Sequence, residues 1–274
     1  MFKDFHTHTL YSNHGQGHPR EIAAIAVERG LVALGFSEHF PLPTGVTEPT
    51  DGEANMRWDQ IEDYIQEVRE AQAEWGHRLK ILLGYEVDYV PEADTAMRAN
   101  LAAYPADYHI GSIHIVGHFR SDHQSWLIDY TAEAFEEGLN EKGGAETVYT
   151  RYYQLVRDFA QSYPHQIVGH LDLIKKFNRD NRYFDAKSEA YLSQVEATLD
   201  VLKSTDKIVE INTAGLFKVI GEIYPSDPIL QMILHRRIPI CLSSDAHRPE
   251  EVAREFSTTW EKLTRLGFEQ LTGL

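Results

Sequence analysis

Two short motifs near opposite ends of the chain carry side chains that bind metal ions. His6 and His8 are one residue apart, and so are Asp245 and His247. Residues two apart on a β-strand point to the same side, so each pair can hold one ion. Imidazole and carboxylate are ligands for Zn, Fe and Mn, and a single cysteine leaves no thiolate set to compete. The two motifs therefore predict a metal site of histidine and carboxylate ligands.

Further ligand-type residues follow other apolar runs of the chain. They are His14, Glu38-His39, Tyr85-Glu86-Val87-Asp88, Ser112-Ile113-His114, Gly169-His170-Leu171-Asp172 and Glu210-Ile211-Asn212. A glutamate such as Glu86 can bridge two ions with its two carboxylate oxygens. So many candidates exceed the needs of one ion and indicate two or three. Clustered metals are the usual apparatus for hydrolysing phosphate esters.

The elements that must position these residues follow a βαβ pattern. Short apolar runs alternate with amphipathic stretches, which is typical of a parallel sheet. The seven predicted strands are 2–5, 31–36, 80–85, 108–113, 166–168, 207–211 and 238–242. The predicted helices are 19–30, 58–75, 145–162, 188–203, 227–236 and 250–266. The carboxyl ends of parallel barrel strands converge on one face, so we expect the ligand-type residues to meet there.

A lone His-x-His pair is weak evidence, and it is the recurrence of ligand types at seven run ends that argues for a metal centre. Other histidines lack this placement. We expect His77, His165 and His235 at the surface or at helix ends, and His118 and His123 to be polar loop residues.

Two stretches of the chain are longer than the connections that a minimal barrel needs between its strands and helices. Residues 41–56 are rich in Pro, Gly and Thr and are predicted to form a loop over the strand ends. Residues 115–144 are predicted to be an insertion or lid over the site, because structureless loops of that length are uncommon in compact domains. No repeat or linker divides the 274 residues, so we expect one barrel domain over 1–274.

Composition narrows the possible partners. The net charge of −16 disfavours binding to nucleic acid, which needs an excess of Lys and Arg. One cysteine cannot form an internal disulfide, and no apolar run approaches the ~20 residues of a membrane span. The first residues show no secretory signal. We expect a soluble, cytoplasmic protein that acts on a small molecule; the sequence leaves the oligomeric state open.

The whole set of motifs resembles the PHP (polymerase and histidinol phosphatase) family. The motifs that carry the resemblance are His6-Thr7-His8, His14, Glu38-His39, Glu86, Ser112-Ile113-His114, Gly169-His170 and Ser244-Asp245-Ala246-His247. Three stretches resemble its histidinol-phosphate phosphatase branch more specifically: Tyr85-Glu86-Val87-Asp88-Tyr89, Gly169-His170-Leu171-Asp172-Leu173-Ile174, and Glu210-Ile211-Asn212-Thr213-Ala214-Gly215-Leu216 with Tyr224-Pro225. The resemblance implies an α/β fold, a distorted (β/α)7 barrel with a trinuclear metal site at the carboxyl ends of its strands.

The resemblance also implies ligand sets for three divalent ions, which could be Zn, Fe or Mn. The first ion would be held by His6, His8, Glu86 and Asp245, the second by Glu86, His114 and His170, and the third by His14, His39 and His247. The implied reaction is hydrolysis of L-histidinol phosphate to L-histidinol and phosphate in histidine biosynthesis. A hydroxide bridging two metals would attack phosphorus.

Residues for the substrate are less clearly marked. Asp172 could protonate the leaving alkoxide or accept a hydrogen bond from a ligating histidine, and the second role is favoured. Arg151, Lys176 and Lys218 are candidate phosphate contacts. Family members often carry an arginine after the Asn-Thr-x-Gly segment, whereas this chain has Phe217-Lys218. The stretch 115–144 is expected to form part of the wall around the imidazole of the substrate.

Three other interpretations stay open. The chain could be a PHP phosphoesterase or nuclease acting on another phosphate ester, although its negative charge disfavours a nuclease. An amidohydrolase-type metal hydrolase also begins with His-x-His, but it should have eight strands and a modified lysine at the fourth, where this chain offers His114. A degenerate PHP barrel with a structural role should have lost ligands, and this chain has the full set.

Overall fold

The computed structural model describes residues 1–47, 54–120 and 123–274. Its strands are β1 (Lys3–Thr7), β2 (Ala33–His39), β3 (Lys80–Asp88), β4 (Tyr108–Ser112), β5 (Ile115–His118), β6 (Ser125–Leu127), β7 (Ile167–Val168), β8 (Ile208–Asn212) and β9 (Ile240–Ser243). Its helices are α1 (Pro19–Glu28), α2 (Ile61–Trp75), α3 (Asp94–Ala103), α4 (Ala132–Glu141), α5 (Ala145–Ser162), α6 (Glu189–Ser204), α7 (Asp227–Arg236) and α8 (Phe256–Leu266).

Seven of these strands form one parallel sheet in the order β1-β2-β3-β4-β7-β8-β9. The two edge strands approach each other, because Thr7 pairs with Ala246 in a parallel bridge and the amide of His8 donates to the carbonyl of Ala246 at 2.8 Å. The sheet is thus nearly closed into a barrel, and helices surround it. The predicted (β/α)7 barrel is confirmed.

Tyr108 fills part of the barrel interior. Its hydroxyl donates to the carbonyl of Phe5, although β4 and β1 are not neighbours in the sheet. The tyrosine therefore crosses the lumen. Its ring lies against Gly35 and Gly84, where any Cβ would clash with it. The glycines on β2 and β3 are explained by this close approach.

The strand ends differ from prediction in a way that matters for the site. β2 continues through His39 and β3 through Asp88, three residues past their predicted ends. β1 likewise continues to Thr7 and contains His6. Several ligand-type side chains are therefore held by the sheet itself and not by mobile loops.

The described residues of the stretch 115–144, which is predicted to be an insertion or lid, contain two strands and a helix. β5 and β6 pair as an antiparallel hairpin, and α4 follows, capped by the Thr131 hydroxyl, which accepts from the amide of Ala134 at 3.1 Å. Residues 121–122 lie outside the described chain. Of the predicted loop 41–56, the described residues contain no helix or strand, and 48–53 lie outside the description.

Two further differences concern helices. α3 was not predicted, and the last helix begins at Phe256 instead of residue 250. Ala253 and Glu255 adopt positive φ angles of 53° and 61°, which are incompatible with a continuous right-handed helix. None of the helices in the described ranges is long and apolar enough to span a membrane.

Candidate metal centre

Four predicted ligands converge where β1, β3 and β9 end. The Nε2 atoms of His6 and His8 lie 3.2 Å and 3.5 Å from Oε2 of Glu86. Oδ1 of Asp245 lies 3.6 Å and 3.4 Å from the same two nitrogens. His6, His8 and Glu86 are buried, so their ligand atoms face one another within the protein. This arrangement matches the first predicted ligand set.

The second carboxylate oxygen of Glu86 faces another pair of histidines. Its Oε1 lies 3.0 Å from Nε2 of His170 and 3.7 Å from Nε2 of His114. The two histidine nitrogens are 3.2 Å apart, and Ser112 donates its hydroxyl to Oε1 at 2.6 Å. Glu86 thus stands between two histidine groups with one oxygen toward each, as a bridging carboxylate would.

The remaining predicted ligands stack beside the first group. The rings of His14 and His247 have centroids 4.5 Å apart, and those of His8 and His39 are 4.3 Å apart. His39 also places Nδ1 2.9 Å from Oε2 of Glu86. Its ligand atom groups with those of His8 and His247, and also with those of Glu86 and His114. The structure brings all nine predicted ligands to one end of the barrel, while their division into three sets stays a prediction.

Carboxylates behind the ligands fix the orientation of the imidazoles. Glu210 lies 2.9 Å from Nδ1 of His6, and Glu38 lies 3.1 Å from Nδ1 of His8. Asp88 holds Nδ1 of His114 at 2.8 Å. A hydrogen bond at Nδ1 leaves Nε2 for coordination, as in most protein metal sites.

Sequence reasoning noted these three carboxylates only as polar residues at strand ends and gave them no role. Their position next to ligand motifs, as in Glu38-His39, was the available signal.

The cluster fits a divalent cation. Nε2 of His6, Nε2 of His8, Oε2 of Glu86 and Nε2 of His247 are buried and make no hydrogen bond to any described residue. Unsatisfied buried polar atoms cost about 1–3 kcal/mol each. Imidazole lone pairs that converge with carboxylate oxygens are what Zn and similar ions require, so bound metal would satisfy these atoms together.

The pKa values of the clustered side chains also indicate a site that binds a cation. Burial opposes protonation of His6, but the carboxylates of Glu210, Glu86 and Asp245 outweigh it and raise its pKa well above the ordinary value. Burial likewise opposes ionisation of Glu86, yet the nearby histidines hold its pKa well below normal. Burial is also outweighed at His114, where Asp88 and Glu86 raise the pKa to about 10. This negative field stabilises positive charge, and metal ions compete with protons for it.

A cleft of about 540 Å³ opens above the cluster. Lys218 and Arg248 line it, are exposed, and form no ion pair with a described residue. Arg248 directly follows His247 and was missed by sequence reasoning, although that adjacency could have identified it. Both cations are available to an anion in the cleft.

Two of the predicted phosphate contacts differ from expectation. Arg151 is exposed on α5 and is not among the residues that line the cleft. Lys176 does line the cleft, but its Nζ donates to Asp129, with Oδ2 at 3.1 Å. Its charge is therefore already paired.

Asp172 also lies outside the lining of the cleft. Its buried carboxylate accepts from the amide of Ser226 at 3.0 Å and lies 3.7 Å from Nζ of Lys175. It neither lines the cleft nor bonds to a ligating histidine among the described residues. A 3-10 helix (Leu173–Lys175) begins directly after Asp172.

Among the other histidines, His165 contradicts its predicted surface position, since it is only 3% exposed and packs against Gly111 and Phe159. His77 and His235 are exposed as expected. His118 pairs with Glu92 and, like His123, does not line the cleft.

A nearly closed parallel barrel with a histidine and carboxylate cluster at the carboxyl ends of its strands defines a class of metal-dependent barrel hydrolases. The PHP domain model matches residues 4–214 of this chain. The chain belongs to the PHP domain family.

Curated relatives match nearly the whole chain. The "Probable histidinol-phosphatase" of Deinococcus radiodurans is 33% identical, over 98% of this chain and 95% of its own. The histidinol-phosphatase of Bacillus subtilis is 30% identical, over 95% of this chain and 98% of its own.

Solved structures share the fold. A candidate histidinol phosphatase from Listeria monocytogenes superimposes with a TM-score of 0.85 at 27% identity, covering 93% of this chain and 99% of its own. The histidinol phosphate phosphatase of Lactococcus lactis, complexed with zinc, L-histidinol and phosphate, gives a TM-score of 0.72 at 21% identity, covering 98% and 95%.

Proposed function

We propose that this chain is a metal-dependent phosphomonoesterase that hydrolyses L-histidinol phosphate to L-histidinol and phosphate, a step of histidine biosynthesis. The observation that carries the proposal is Glu86, which faces one histidine group with each of its oxygens inside a single cleft. Relatives named histidinol-phosphatase over nearly their full length support the substrate.

The proposed cofactors are three divalent ions, Zn, Fe or Mn, in the ligand sets given above. The zinc bound to the Lactococcus lactis enzyme supports Zn among these three metals. Bound divalent ions would lower the pKa of water toward neutrality and offset the negative charge that develops on a phosphoryl group during hydrolysis. Three ions would bring a charge of about +6 to a face where Glu86 and Asp245 offset two.

The chain's own residues orient and polarise this centre. Hydrogen bonds from Nδ1 of His6, His8 and His114 to buried carboxylates place the proton on Nδ1 and turn Nε2 toward the cluster. The same carboxylates increase the basicity of each imidazole as a ligand. Because they sit on β2, β3 and β8, the barrel fixes the ligand positions before any ion arrives.

The phosphate end of the substrate is assigned to Lys218 and Arg248. Both line the cleft beside Asp245 and His247, and neither is neutralised by a described carboxylate. A cation near the non-bridging phosphate oxygens would hold the ester in place and neutralise developing charge. Lys218 is retained from the sequence prediction, whereas Arg151 and Lys176 are not.

We further propose that residues 1–274 form one barrel domain with 115–144 as an insertion beside the site. Leu127 and Tyr130 of this insertion line the cleft and are proposed as part of the wall around the imidazole. The reaction is placed in the cytoplasm, with a small molecule and no nucleic acid as partner.

One assay tests the function. The purified chain, with added Mn or Zn, would be offered L-histidinol phosphate, p-nitrophenyl phosphate and single-stranded DNA. We expect phosphate release from L-histidinol phosphate at the highest kcat/KM and no cleavage of DNA. Activity on another ester with none on L-histidinol phosphate would refute the substrate assignment.

A further inference from the structure

Asp129 is a carboxylate of the cleft that has no place in the proposed metal centre. Asp129 follows β6 and lines the cleft together with Leu127 and Tyr130. It is held near the centre because the amide of Ile128 donates to the carbonyl of His114 at 3.0 Å. Lys176 pairs with Oδ2 of this carboxylate, which leaves Oδ1 as the oxygen that can accept a hydrogen bond from a positively charged part of the substrate.

The surroundings of Asp129 keep it ionised. Burial opposes ionisation, but Lys176, His114 and His170 outweigh it and hold the pKa of Asp129 well below its usual value. Lys176 bonds to Oδ2 and to the main-chain carbonyl of Asp129. Oδ1 makes no hydrogen bond to a described residue, and the side chain, which is 24% exposed, lines the cleft.

Charged groups of both signs line the cleft, and two of them, Lys176 and Glu251, are already paired with Asp129 and Arg254. Lys218 and Arg248, which form no ion pair with a described residue, follow β8 and β9, whereas Asp129 follows the β5–β6 hairpin that comes after β4. In the strand order, β7 and β8 separate β4 from β9, so the strand that precedes Arg248 is not a neighbour of the strand that precedes the hairpin. A ligand that is anionic at one end and cationic at the other could place its anionic end at Lys218 and Arg248 and its cationic end at Asp129.

We infer that Asp129 is a specificity residue that accepts a hydrogen bond from the ammonium group of the alcohol part of the substrate. The inference rests on the proposed phosphatase activity and extends it to a substrate class: phosphate monoesters whose alcohol carries an ammonium group close to the ester carbon. L-Histidinol phosphate has this group on the carbon next to the ester carbon. Charge-assisted hydrogen bonds of this kind are about twice as strong as neutral ones.

A matched substrate pair isolates the ammonium group. Phosphoethanolamine and propyl phosphate have the same chain length and differ only by ammonium in place of methyl. We expect the metal-loaded wild-type chain to prefer phosphoethanolamine by about 10-fold or more in kcat/KM. The D129N variant should lose this preference, mainly through KM, and should hydrolyse propyl phosphate and p-nitrophenyl phosphate within about 3-fold of wild type.

Two further variants keep the test decisive. D129N/K176M removes both charges together, so that no unpaired buried charge destabilises the fold, and it should lose the same preference. E92Q makes the same chemical change in an ion pair with His118 outside the cleft and should keep the wild-type preference.

The outcomes separate this inference from the proposed function. An equal loss on charged and neutral esters in D129N, or no ammonium preference in the wild type, would overturn the role of Asp129. A preference that depends on Asp129, with no hydrolysis of L-histidinol phosphate, would support the inference while refuting the proposed substrate. A metal-loaded chain that hydrolyses no phosphate ester would overturn both.

Discussion

Strand β4 leads to two different histidine environments. At its carboxyl end, His114 is held by Asp88 and faces Glu86, and its pKa is raised to about 10. At its amino end, His109 bonds to the hydroxyl of Tyr163 at 2.9 Å and stacks on Tyr85, and burial lowers its pKa to about 4. The two ends of β4 therefore differ: the surroundings of His114 stabilise a positive charge, whereas those of His109 keep its imidazole neutral.

His165 extends the second environment. It packs on Phe159, and burial together with Lys207 and His109 keeps its pKa well below normal. The ammonium of Lys207 is bonded to the carbonyls of Tyr163 and His165, so positive charge is already present there. Buried carboxylates distinguish the metal centre from this group. A buried histidine is a metal candidate when such a carboxylate orients it.

The largest expected effect comes from replacing Glu86, the carboxylate that lies between the two histidine groups of the metal centre. E86Q removes the charge that two histidine groups share, so it should lose metal at two positions and lower kcat/KM by about 1,000-fold or more. Metal content by elemental analysis and phosphate release measure both. H109Q is the control, and it should retain wild-type metal content. Unchanged metal content in E86Q would contradict its bridging role.

This contrast also shows how far the sequence predicts the site. The convergence of the nine predicted ligands at one end of the barrel was predictable, because their residue types recur at strand ends and parallel strands bring those ends together. The pairing of Glu210 with His6 was not, because it joins residues far apart in the chain that meet only when the barrel closes. The pattern that made His165 look peripheral contains no information about the packing of Phe159 and Gly111 around it. The contact of Asp172 with the amide of Ser226 was not predictable, because these two residues are far apart in the chain.

The neutral histidine predicts a pH dependence of stability. The pKa of His109 is about 4 in the folded chain, below its ordinary 6.5. As the pH falls below 6.5, His109 becomes protonated in the unfolded chain but stays neutral in the folded chain. Stability present above pH 6.5 is therefore lost progressively toward pH 4, by about 3 kcal/mol.

The test uses urea unfolding of wild type and H109Q at pH 7, 5.5 and 4, with EDTA to exclude metal effects. The wild-type free energy of unfolding should fall more steeply than that of H109Q. Parallel pH profiles for the two proteins would contradict the neutral environment assigned to His109.

The carboxylates behind the ligands give the next effect in size. E210Q weakens the hydrogen bond that orients His6 and should reduce zinc affinity about 10- to 100-fold, because such outer partners position the ligand and raise its basicity. Competition with a chromophoric chelator measures this affinity. E189Q, which alters an exposed residue of the first turn of α6, should keep wild-type affinity. Equal affinities in all three proteins would show that Glu210 does not orient the ligand.

The smallest expected effect is at the rim of the cleft. K218M removes an exposed cation from the proposed phosphate side and should raise KM for L-histidinol phosphate about 3- to 10-fold with little change in zinc content. R151M, outside the cleft, should leave KM unchanged. A larger effect of R151M than of K218M would reverse the assignment of the phosphate side.

The most direct test of the account is anomalous diffraction at the zinc edge from crystals of the zinc-loaded chain. The account predicts three peaks at the carboxyl ends of the strands, two of them within coordination distance of Glu86, and none beside His109 or His165. Peaks at those two neutral histidines, or an absence of zinc around Glu86, would contradict the claim that carboxylate-oriented histidines form the metal centre.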